Sequence, residues 1–210
     1  VPTHGSGWSD DVFLGTISAV TAGDREGLEM AVRMVRHYAA TLQQEDGLFY
    51  HAADAPTRWG RGNGFAALGF AEVMTAVGPT HTSWTELIAI YRQQMNGLRA
   101  LQAPDGMWNQ VVDLPGSYRE TSVTAMVVTA MARGLRFGWL GEEYSAVVER
   151  GWRALKTRIL EDGTLVDVCI STGSGTELRH YLDRTAVNGA DDRGGALALG
   201  AALEMYALKR

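Results

Sequence analysis

Asp46-Gly47-Leu48-Phe49 is the stretch that decides the fold, because the chain repeats it twice. The later copies are Asp105-Gly106-Met107-Trp108 and Asp162-Gly163-Thr164-Leu165, and successive starts lie 59 and 57 residues apart. Glycine readily adopts the left-handed backbone conformation past a helix end, so each Asp-Gly pair predicts a helix stop and a turn. A repeat of this length indicates a row of similar supersecondary units.

Two kinds of predicted helix alternate with these copies. Amphipathic runs with helical spacing of apolar residues precede them, at 29–42, 84–101 and 143–160. Apolar runs rich in small residues, typical of helices buried on every side, lie at 12–22, 65–77, 121–137 and 194–208. The alternation predicts an all-α fold, an α/α-hairpin toroid of the (α/α)6-barrel type, with apolar helices inside and amphipathic helices outside. Short strands are expected at 48–50 and 165–168.

The chain is shorter than a closed ring of this kind requires. Six hairpins of about 58 residues need roughly 350 residues, and the 210 residues here provide only about three and a half hairpins. We therefore expect an incomplete toroid, a single domain over residues 1–210 that forms the C-terminal portion of a longer catalytic domain. The alternative is an open arc, which would expose inner-helix surface to water. A second chain or a missing N-terminal segment would complete the barrel.

Composition and charge exclude several classes of function. The net charge of −5 and the scattered Lys and Arg residues argue against nucleic-acid binding, and no apolar run is long enough for a membrane span. No pair of His or Cys residues has metal-ligand spacing. Cys169 is the single cysteine, so it predicts no intrachain disulfide. It leaves the cellular compartment open, with the cytoplasm favoured.

Chemically active residues precede the predicted inner helices. All inner helices of such an array should begin at the same end, here called the mouth, so the residues before them should converge there. These residues are Trp8, Asp10 and Asp11; Trp59 and Arg61; Arg119 and Glu120; and Asp191 and Asp192. Within Trp59-Gly60-Arg61-Gly62-Asn63-Gly64-Phe65 we expect a glycine-rich turn that runs into a helix, whose N–H groups and neighbouring Arg61 suit an anion.

Several ordered motifs resemble the unsaturated glucuronyl and rhamnogalacturonyl hydrolases, which are six-hairpin α/α toroid glycoside hydrolases. The matching segments are Trp8-Ser9-Asp10-Asp11-Val12-Phe13-Leu14, Gly47-Leu48-Phe49-Tyr50-His51, the glycine-rich stretch above, Glu120-Thr121-Ser122-Val123-Thr124-Ala125-Met126, and 162–169. Phe65 stands where the family more often has a second Trp, and the family's N-terminal hairpins, which carry a second acidic residue, are absent.

The resemblance implies removal of a terminal unsaturated uronic acid from lyase-generated oligosaccharides by hydration of an enol ether, without metal or cofactor. Asp10 would be the catalytic acid and base, so it must carry a proton before the reaction. His51 would touch the sugar or hold the water. Trp59 would stack on the sugar ring and Arg61 would pair with the uronate. Trp8 and Asn63, in the matching segments, are further candidates for substrate binding. Ser171 and Thr172 are candidates as well, because their polar loop could hydrogen-bond a carboxylate.

Other interpretations of the same residues stay open. Asp10 is equally placed to be a helix N-cap, a role that we favour for its neighbour Asp11. Trp59 with Arg61 fits a core Trp and a structural ion pair to Glu120, and Glu120, Thr121 and Ser122 resemble a helix-capping start. At the level of the whole chain, the alternatives are a conventional two-carboxylate glycosidase that uses Asp10 with Asp192, and a non-catalytic sugar-binding toroid fragment.

Overall fold

The computed structural model describes residues 6–189 and 192–210, without the side chains at 192 and 193. Helices dominate this part of the chain. They are α1 (Asp11–Leu14), α2 (Ile17–Ala22), α3 (Arg25–Leu42), α4 (Gly60–Val77), α5 (Trp84–Ala100), α6 (Thr121–Arg136), α7 (Ser145–Lys156), α8 (Leu178–Leu182) and α9 (Asp192–Leu208). None of the described helices is long and apolar enough to cross a membrane.

The helices form the two predicted layers. In the inner layer, α6 packs between α4 and α9, and α4 also contacts α1 and α2. Most residues of α4 and α6 are buried, 13 of 18 and 13 of 16, which agrees with their all-round apolar sequences. The outer helices α3, α5 and α7 bury one apolar face each and expose the other. The predicted alternation of inner and outer helices is therefore confirmed for these elements.

The repeated Asp-Gly segment forms the same turn in all three units. Gly47, Gly106 and Gly163 have φ angles of +86°, +94° and +84°, as the prediction of left-handed glycines requires. Each aspartate accepts a hydrogen bond from the backbone N–H two residues later, at 3.0, 3.0 and 2.9 Å. The glycines do not cap the preceding helices themselves, because those helices already end at Leu42, Ala100 and Lys156.

The described strands form two short antiparallel pairs. Strand β1 (Trp108–Asn109) pairs with β2 (Arg119–Glu120), which leads directly into α6. Strand β3 (Leu165–Cys169) pairs with β4 (Ala186–Gly189), so the expected strand at 165–168 is confirmed. At 48–50 the expectation is met only by an isolated bridge between Gln43 and Phe49.

The glycine-rich stretch is helical, so the expected turn there is wrong. Helix α4 begins at Gly60, directly after Trp59, and includes Gly62 and Gly64. These glycines allow close packing: a Cβ atom at Gly60 would lie 2.7 Å from the carbonyl oxygen of Asn109, and one at Gly64 would lie 2.5 Å from Met126 Cε. Tertiary packing outweighs the low helix propensity of glycine here.

The first predicted inner helix, 12–22, divides into α1 and α2. The hydroxyl of Thr16 donates to the carbonyl of Val12 at 2.7 Å, a side-chain hydrogen bond that tends to bend a helix. A Cβ atom at Gly15 would lie 2.6 Å from Met34 Cε of the outer helix α3. The break therefore lets α3 approach the inner layer closely.

One side of the inner layer lacks a neighbour among the described residues. Leu199, Leu203 and Tyr206 are 61%, 61% and 57% exposed, and they follow one another at helical spacing along α9. Large apolar side chains in such a row are unusual on a helix that faces water.

Candidate active site

A cavity of about 370 Å³ lies at the mouth. It is lined by Asp10, Leu14, Trp59, Arg61, Phe65, Ser171, Thr172, Ala196 and Leu197. Five residues that the sequence places in the site therefore share one hollow, although 161 positions separate Asp10 from Ser171. His51, Trp8 and Asn63 are not among its lining residues.

Asp10 does not cap a helix, so the N-cap interpretation is wrong. It occupies the position before α1, but its backbone is already helical and its side chain makes no capping hydrogen bond. The Oδ2 atom is buried without a hydrogen-bond partner among the described residues, and it lies 3.3 Å from His51 Nε2.

Asp11 has the structural role that Asp10 lacks. Its carboxylate accepts hydrogen bonds from the backbone N–H of Gly7 at 2.9 Å and from the hydroxyl of Tyr38 at 2.7 Å. Burial raises the pKa of Tyr38, and the bond to Asp11 raises it further, so the hydroxyl remains a donor. Asp11 thus ties the segment before α1 to the outer helix α3, rather than capping its own helix.

His51 contacts the carboxyl group of Asp10 but does not line the cavity. Its side chain is fully buried, so contact with the sugar or with the water stays a prediction. Its Nδ1 atom lies 2.7 Å from the hydroxyl of Tyr181. The ring also contacts the indoles of Trp8 and Trp59, with centroid distances of 5.2 and 4.8 Å. Aromatic neighbours and the single hydrogen bond fix the imidazole, so its remaining nitrogen faces Asp10.

The two tryptophans offer less surface to a ligand than the sequence suggests. Trp59 lines the cavity but is only 2% exposed, because it packs on His51 and lies under the Arg61 guanidinium, 5.7 Å from its ring centroid. A sugar ring therefore cannot stack on its face in this structure. Trp8 is half-buried against His51, and it lies 3.8 Å from the position that a Cβ atom of Gly173 would take.

Arg61 joins a buried network that connects three units of the array. Its Nε donates to Ser122 Oγ at 2.9 Å and its Nη2 donates to the carbonyl of Cys169. The carboxylate of Glu120 lies 3.9 Å away, so the structural ion pair that the sequence allowed is present. Arg61 also lines the cavity while only 4% exposed. A buried cation beside a hollow attracts an anionic ligand.

Glu120 is the N-cap of α6, and the predicted capping start is confirmed. Its carboxylate accepts hydrogen bonds from the backbone N–H groups of Ser122, Val123 and Cys169, at 2.9, 2.7 and 2.9 Å. Burial raises the pKa of the Cys169 thiol, and the charge of Glu120 raises it further. Cys169 is therefore held as a neutral thiol beneath the site.

Asn63 is a structural residue, so its assignment to substrate binding is corrected. The side chain is fully buried in α4, where its Oδ1 accepts from the N–H of Phe49 at 2.8 Å. Its Nδ2 donates to the carbonyls of Phe49 and Trp59 at 2.9 and 3.1 Å. Both polar atoms are occupied, and Asn63 thereby fixes the segment that leads to His51.

The loop after β3 forms the opposite wall of the cavity. Ser171 is exposed, while the hydroxyl of Thr172 makes hydrogen bonds of 2.9 Å to the carbonyl of Gly173 and 2.8 Å to His180 Nε2. Ser171 therefore has the freer hydroxyl of the two. The predicted mouth residue Asp191 and the side chain of Asp192 lie outside the described residues.

Sequence reasoning missed Tyr181 and the apolar wall from α9 as neighbours of the site, whereas it had singled out Phe65. Tyr181 belongs to the five-residue helix α8, which is too short for a periodic signal. Phe65 stacks on Phe13 with ring centroids 5.8 Å apart, and it lines the cavity beside Leu197. No cluster of three or more potential metal ligands occurs in the described parts of the chain.

Comparison with known proteins agrees with this arrangement. The sequence is 28% identical over 177 residues to the unsaturated rhamnogalacturonyl hydrolase YesR of Bacillus subtilis, which covers 79% of this chain and 50% of the relative. It is 33% identical over 111 residues to an unsaturated 3S-rhamnoglycuronyl hydrolase of an Alteromonas species, covering 51% of this chain and 27% of the relative. The chain thus spans half or less of the length of these curated relatives.

The fold also has a solved counterpart. A possible member of the GH105 family from Salmonella enterica superposes with a TM-score of 0.89 at 23% identity, over 96% of this chain and 56% of that chain. This likeness confirms the predicted α/α toroid fold class. The family described as Glycosyl Hydrolase Family 88 matches residues 3–209. On the strength of that match, which agrees with the resemblance inferred from the ordered motifs, the chain belongs to Glycosyl Hydrolase Family 88.

Proposed function

We propose that the chain carries the active site of a glycoside hydrolase that removes a terminal unsaturated uronic acid from lyase-generated oligosaccharides. The observation that carries the proposal is Asp10 Oδ2, a buried carboxyl oxygen without a hydrogen bond to the described residues, at the wall of the mouth cavity and 3.3 Å from His51. A general acid must lie within reach of the substrate, and Asp10 lines the cavity beside a buried imidazole. The buried cation Arg61 in the same wall suits the uronate.

In the proposed reaction, Asp10 acts first as acid and then as base. Its carboxyl group donates a proton to C4 of the C4=C5 double bond, and positive charge develops at C5 and the ring oxygen. Water adds at C5 as the Asp10 carboxylate takes up one of its protons. The C5–ring-oxygen bond of the hemiketal then breaks, which leaves a ketone at C5 and a hemiacetal at C1. This hemiacetal collapses to an aldehyde as the glycosidic oxygen leaves with a proton. The net change is addition of one water molecule, and Asp10 ends protonated as it began.

His51 has an indirect part in this scheme. Because its ring is buried and meets Asp10 rather than the cavity, it would stabilise the carboxylate that forms after proton donation. Ser171, with an exposed side chain in the opposite wall, would donate a hydrogen bond to the substrate. Trp59 would contribute to the floor of the cavity instead of stacking.

The decisive experiment replaces Asp10 with Asn. We expect Asp10→Asn to lower the turnover of unsaturated glucuronyl or rhamnogalacturonyl disaccharides by about 10²- to 10⁴-fold, because general acid catalysis requires a group that can release a proton. The measurement is the loss of ultraviolet absorbance from the double bond. Asp113→Asn is the matched control, since Asp113 is 39% exposed and pairs with Arg58 away from the cavity.

Near-native turnover by Asp10→Asn, with circular dichroism unchanged, would remove Asp10 from the mechanism. Turnover of saturated glycosides by the wild-type protein would instead favour a conventional two-carboxylate glycosidase. Binding of the unsaturated disaccharide in calorimetry without any turnover would favour a sugar-binding module.

We also propose that further hairpins of the same toroid cover the exposed face of α9, either on the same polypeptide or on a second chain. The row of Leu199, Leu203 and Tyr206 supports this proposal, since inner helices of a closed toroid are covered on both sides. The greater length of the relatives supports it too.

A further inference from the structure

Tyr181 lies behind the site, where it contacts His51 on the side away from Asp10. Its side chain is fully buried, and its ring meets the imidazole edge-on with centroids 5.5 Å apart. The hydroxyl lies 2.7 Å from His51 Nδ1, and it accepts a hydrogen bond of 3.2 Å from the backbone N–H of Gly175. Tyr181, His51 and Asp10 therefore form a row from the interior to the cavity.

The direction of the hydrogen bonds in this row follows from counting protons. A tyrosine hydroxyl has one proton to donate, and burial raises the pKa of Tyr181, so the proton is present at neutral pH. Gly175 acts as donor to the oxygen, and the other recorded partner of the hydroxyl is His51 Nδ1. If the hydroxyl also accepted from Nδ1, its own buried proton would have no acceptor, which is costly, so the hydroxyl donates to Nδ1 and Nδ1 carries a lone pair.

A neutral imidazole that accepts at Nδ1 carries its proton on Nε2. That nitrogen is the one 3.3 Å from Asp10 Oδ2. The two atoms are close without forming a hydrogen bond in this structure, and neither has a hydrogen-bond partner among the described residues. The opposite tautomer would present a lone pair to the Asp10 oxygen, which would repel the carboxylate and accept the proton that Asp10 has to deliver.

We propose that Tyr181 is a positioning residue that fixes the Nε2–H tautomer of His51. Through this tautomer the buried N–H faces Asp10 and stabilises the carboxylate that forms when the acid gives up its proton. The tautomer assignment depends only on the row of contacts, whereas its effect on turnover rests on the proposed function.

The substitution Tyr181→Phe removes the hydroxyl and keeps the ring, so it tests the hydroxyl alone. The ring would keep its packing against His51, and the main-chain carbonyl at this position would still accept from Gln110 Nε2 at 2.7 Å, so α8 stays anchored. Tyr144→Phe is the matched control. It also removes a buried tyrosine hydroxyl, which donates to Asn96 Oδ1 at 2.7 Å on the outer layer away from the mouth.

The test is a long-range proton–nitrogen NMR correlation of the 210-residue chain with ¹⁵N-labelled histidine. In the wild-type protein at neutral pH, we expect His51 to show an unprotonated Nδ1 and a protonated Nε2. Tyr181→Phe should shift both nitrogen signals of His51 towards a mixture of tautomers, whereas Tyr144→Phe should leave them unchanged. A wild-type His51 that is protonated on Nδ1 would overturn the proposal, as would a Tyr181→Phe spectrum identical to that of the wild type.

The wild-type spectrum decides the tautomer even if Tyr181→Phe fails to fold. Where turnover is measurable, we expect Tyr181→Phe to lower kcat about tenfold with little change in KM, as for loss of one buried hydrogen bond. If the wild-type protein turned over no unsaturated disaccharide, the proposed function would fail while the tautomer result would stand. The two ideas can therefore fail separately.

Discussion

Gly62 lies beneath the catalytic candidate, where the absence of a side chain leaves room for two polar groups. A Cβ atom at this position would lie 2.3 Å from Ser9 Oγ and 3.4 Å from Asp10 Oδ2. We expect Gly62→Ala to displace the buried Ser9 and to reorient Asp10. Turnover should fall by at least about tenfold, because small misplacements of a catalytic group are costly. Steady-state kinetics with an unsaturated disaccharide, alongside circular dichroism, measures the effect.

Gly200→Ala provides the control for that substitution. Gly200 lies within α9, and its nearest contact for an added Cβ atom is Thr129 Oγ1 at an ordinary 3.8 Å. There we expect stabilisation of about 0.5–1 kcal/mol, since alanine favours the helix. Equal turnover in the two variants would show that the space at Gly62 does not matter to the reaction.

Cys169 offers a chemical test of how closed the site is. Its side chain is buried, and burial, together with the charge of Glu120, raises the pKa of the thiol. The thiolate is the reactive form, so we expect a thiol reagent to leave the native protein unmodified at neutral pH. Modification should follow global unfolding in denaturant. Rapid labelling of the native protein, measured by mass spectrometry, would contradict the described burial.

At the level of single residues, the sequence identified where side chains gather better than what each one does. Asp10, Trp59, Arg61, Ser171 and Thr172 all line the cavity, because inner helices begin at a common end. A residue that contacts the ligand and a residue that holds a catalytic side chain in place produce the same sequence pattern. Only the three-dimensional structure distinguishes a histidine that contacts a ligand from one that contacts an aspartate.

Among the structural elements, the repeated turn gives a matched pair of glycines. Gly106 and Gly163 have similar positive φ angles, but a Cβ atom at Gly106 would lie 2.5 Å from the carbonyl oxygen of Arg150 in α7. At Gly163 no described atom lies within 4 Å of that position. We expect Gly163→Ala to cost about 1–2 kcal/mol from backbone strain alone. Gly106→Ala should cost more, because α7 must also move.

Chemical denaturation of both variants measures this difference in the free energy of unfolding. Equal losses would mean that the turn does not pack on the next outer helix as described. The comparison also tests the repeat itself, because the two glycines share sequence context and differ in their neighbours.

An element can be predicted from the sequence when residues close to it along the chain determine its structure. Outer helices were predicted closely from periodicity, because each has one face in water. The helical start of α4 could not be predicted, because its cause is the close approach of Asn109 and Met126, distant in sequence, to Gly60 and Gly64. The break at Gly15 likewise depends on Met34 in a neighbouring helix.

For the whole molecule, the exposed face of α9 predicts association. We expect the 210-residue chain to self-associate with rising concentration, and Leu199→Ser with Leu203→Ser to reduce this, because both leucines are 61% exposed. Light scattering after size exclusion measures the effect. Met30→Ser is the control, an exposed apolar residue of the outer helix α3. A wild-type chain that stays monomeric at every concentration, and binds an apolar dye no better than the double variant, would contradict the proposal that this face is normally covered.

Arg61, Glu120 and Cys169 meet in one buried network, although each comes from a different unit of the array. Separation of any one unit would break hydrogen bonds of the other two. We therefore expect the amide protons of Ser122, Val123 and Cys169 to exchange with solvent only when a large part of the structure opens at once. The walls of the cavity therefore unfold as one cooperative unit. An evolving relative could not widen this cavity one loop at a time, and would have to vary its rim, around Ser171, instead.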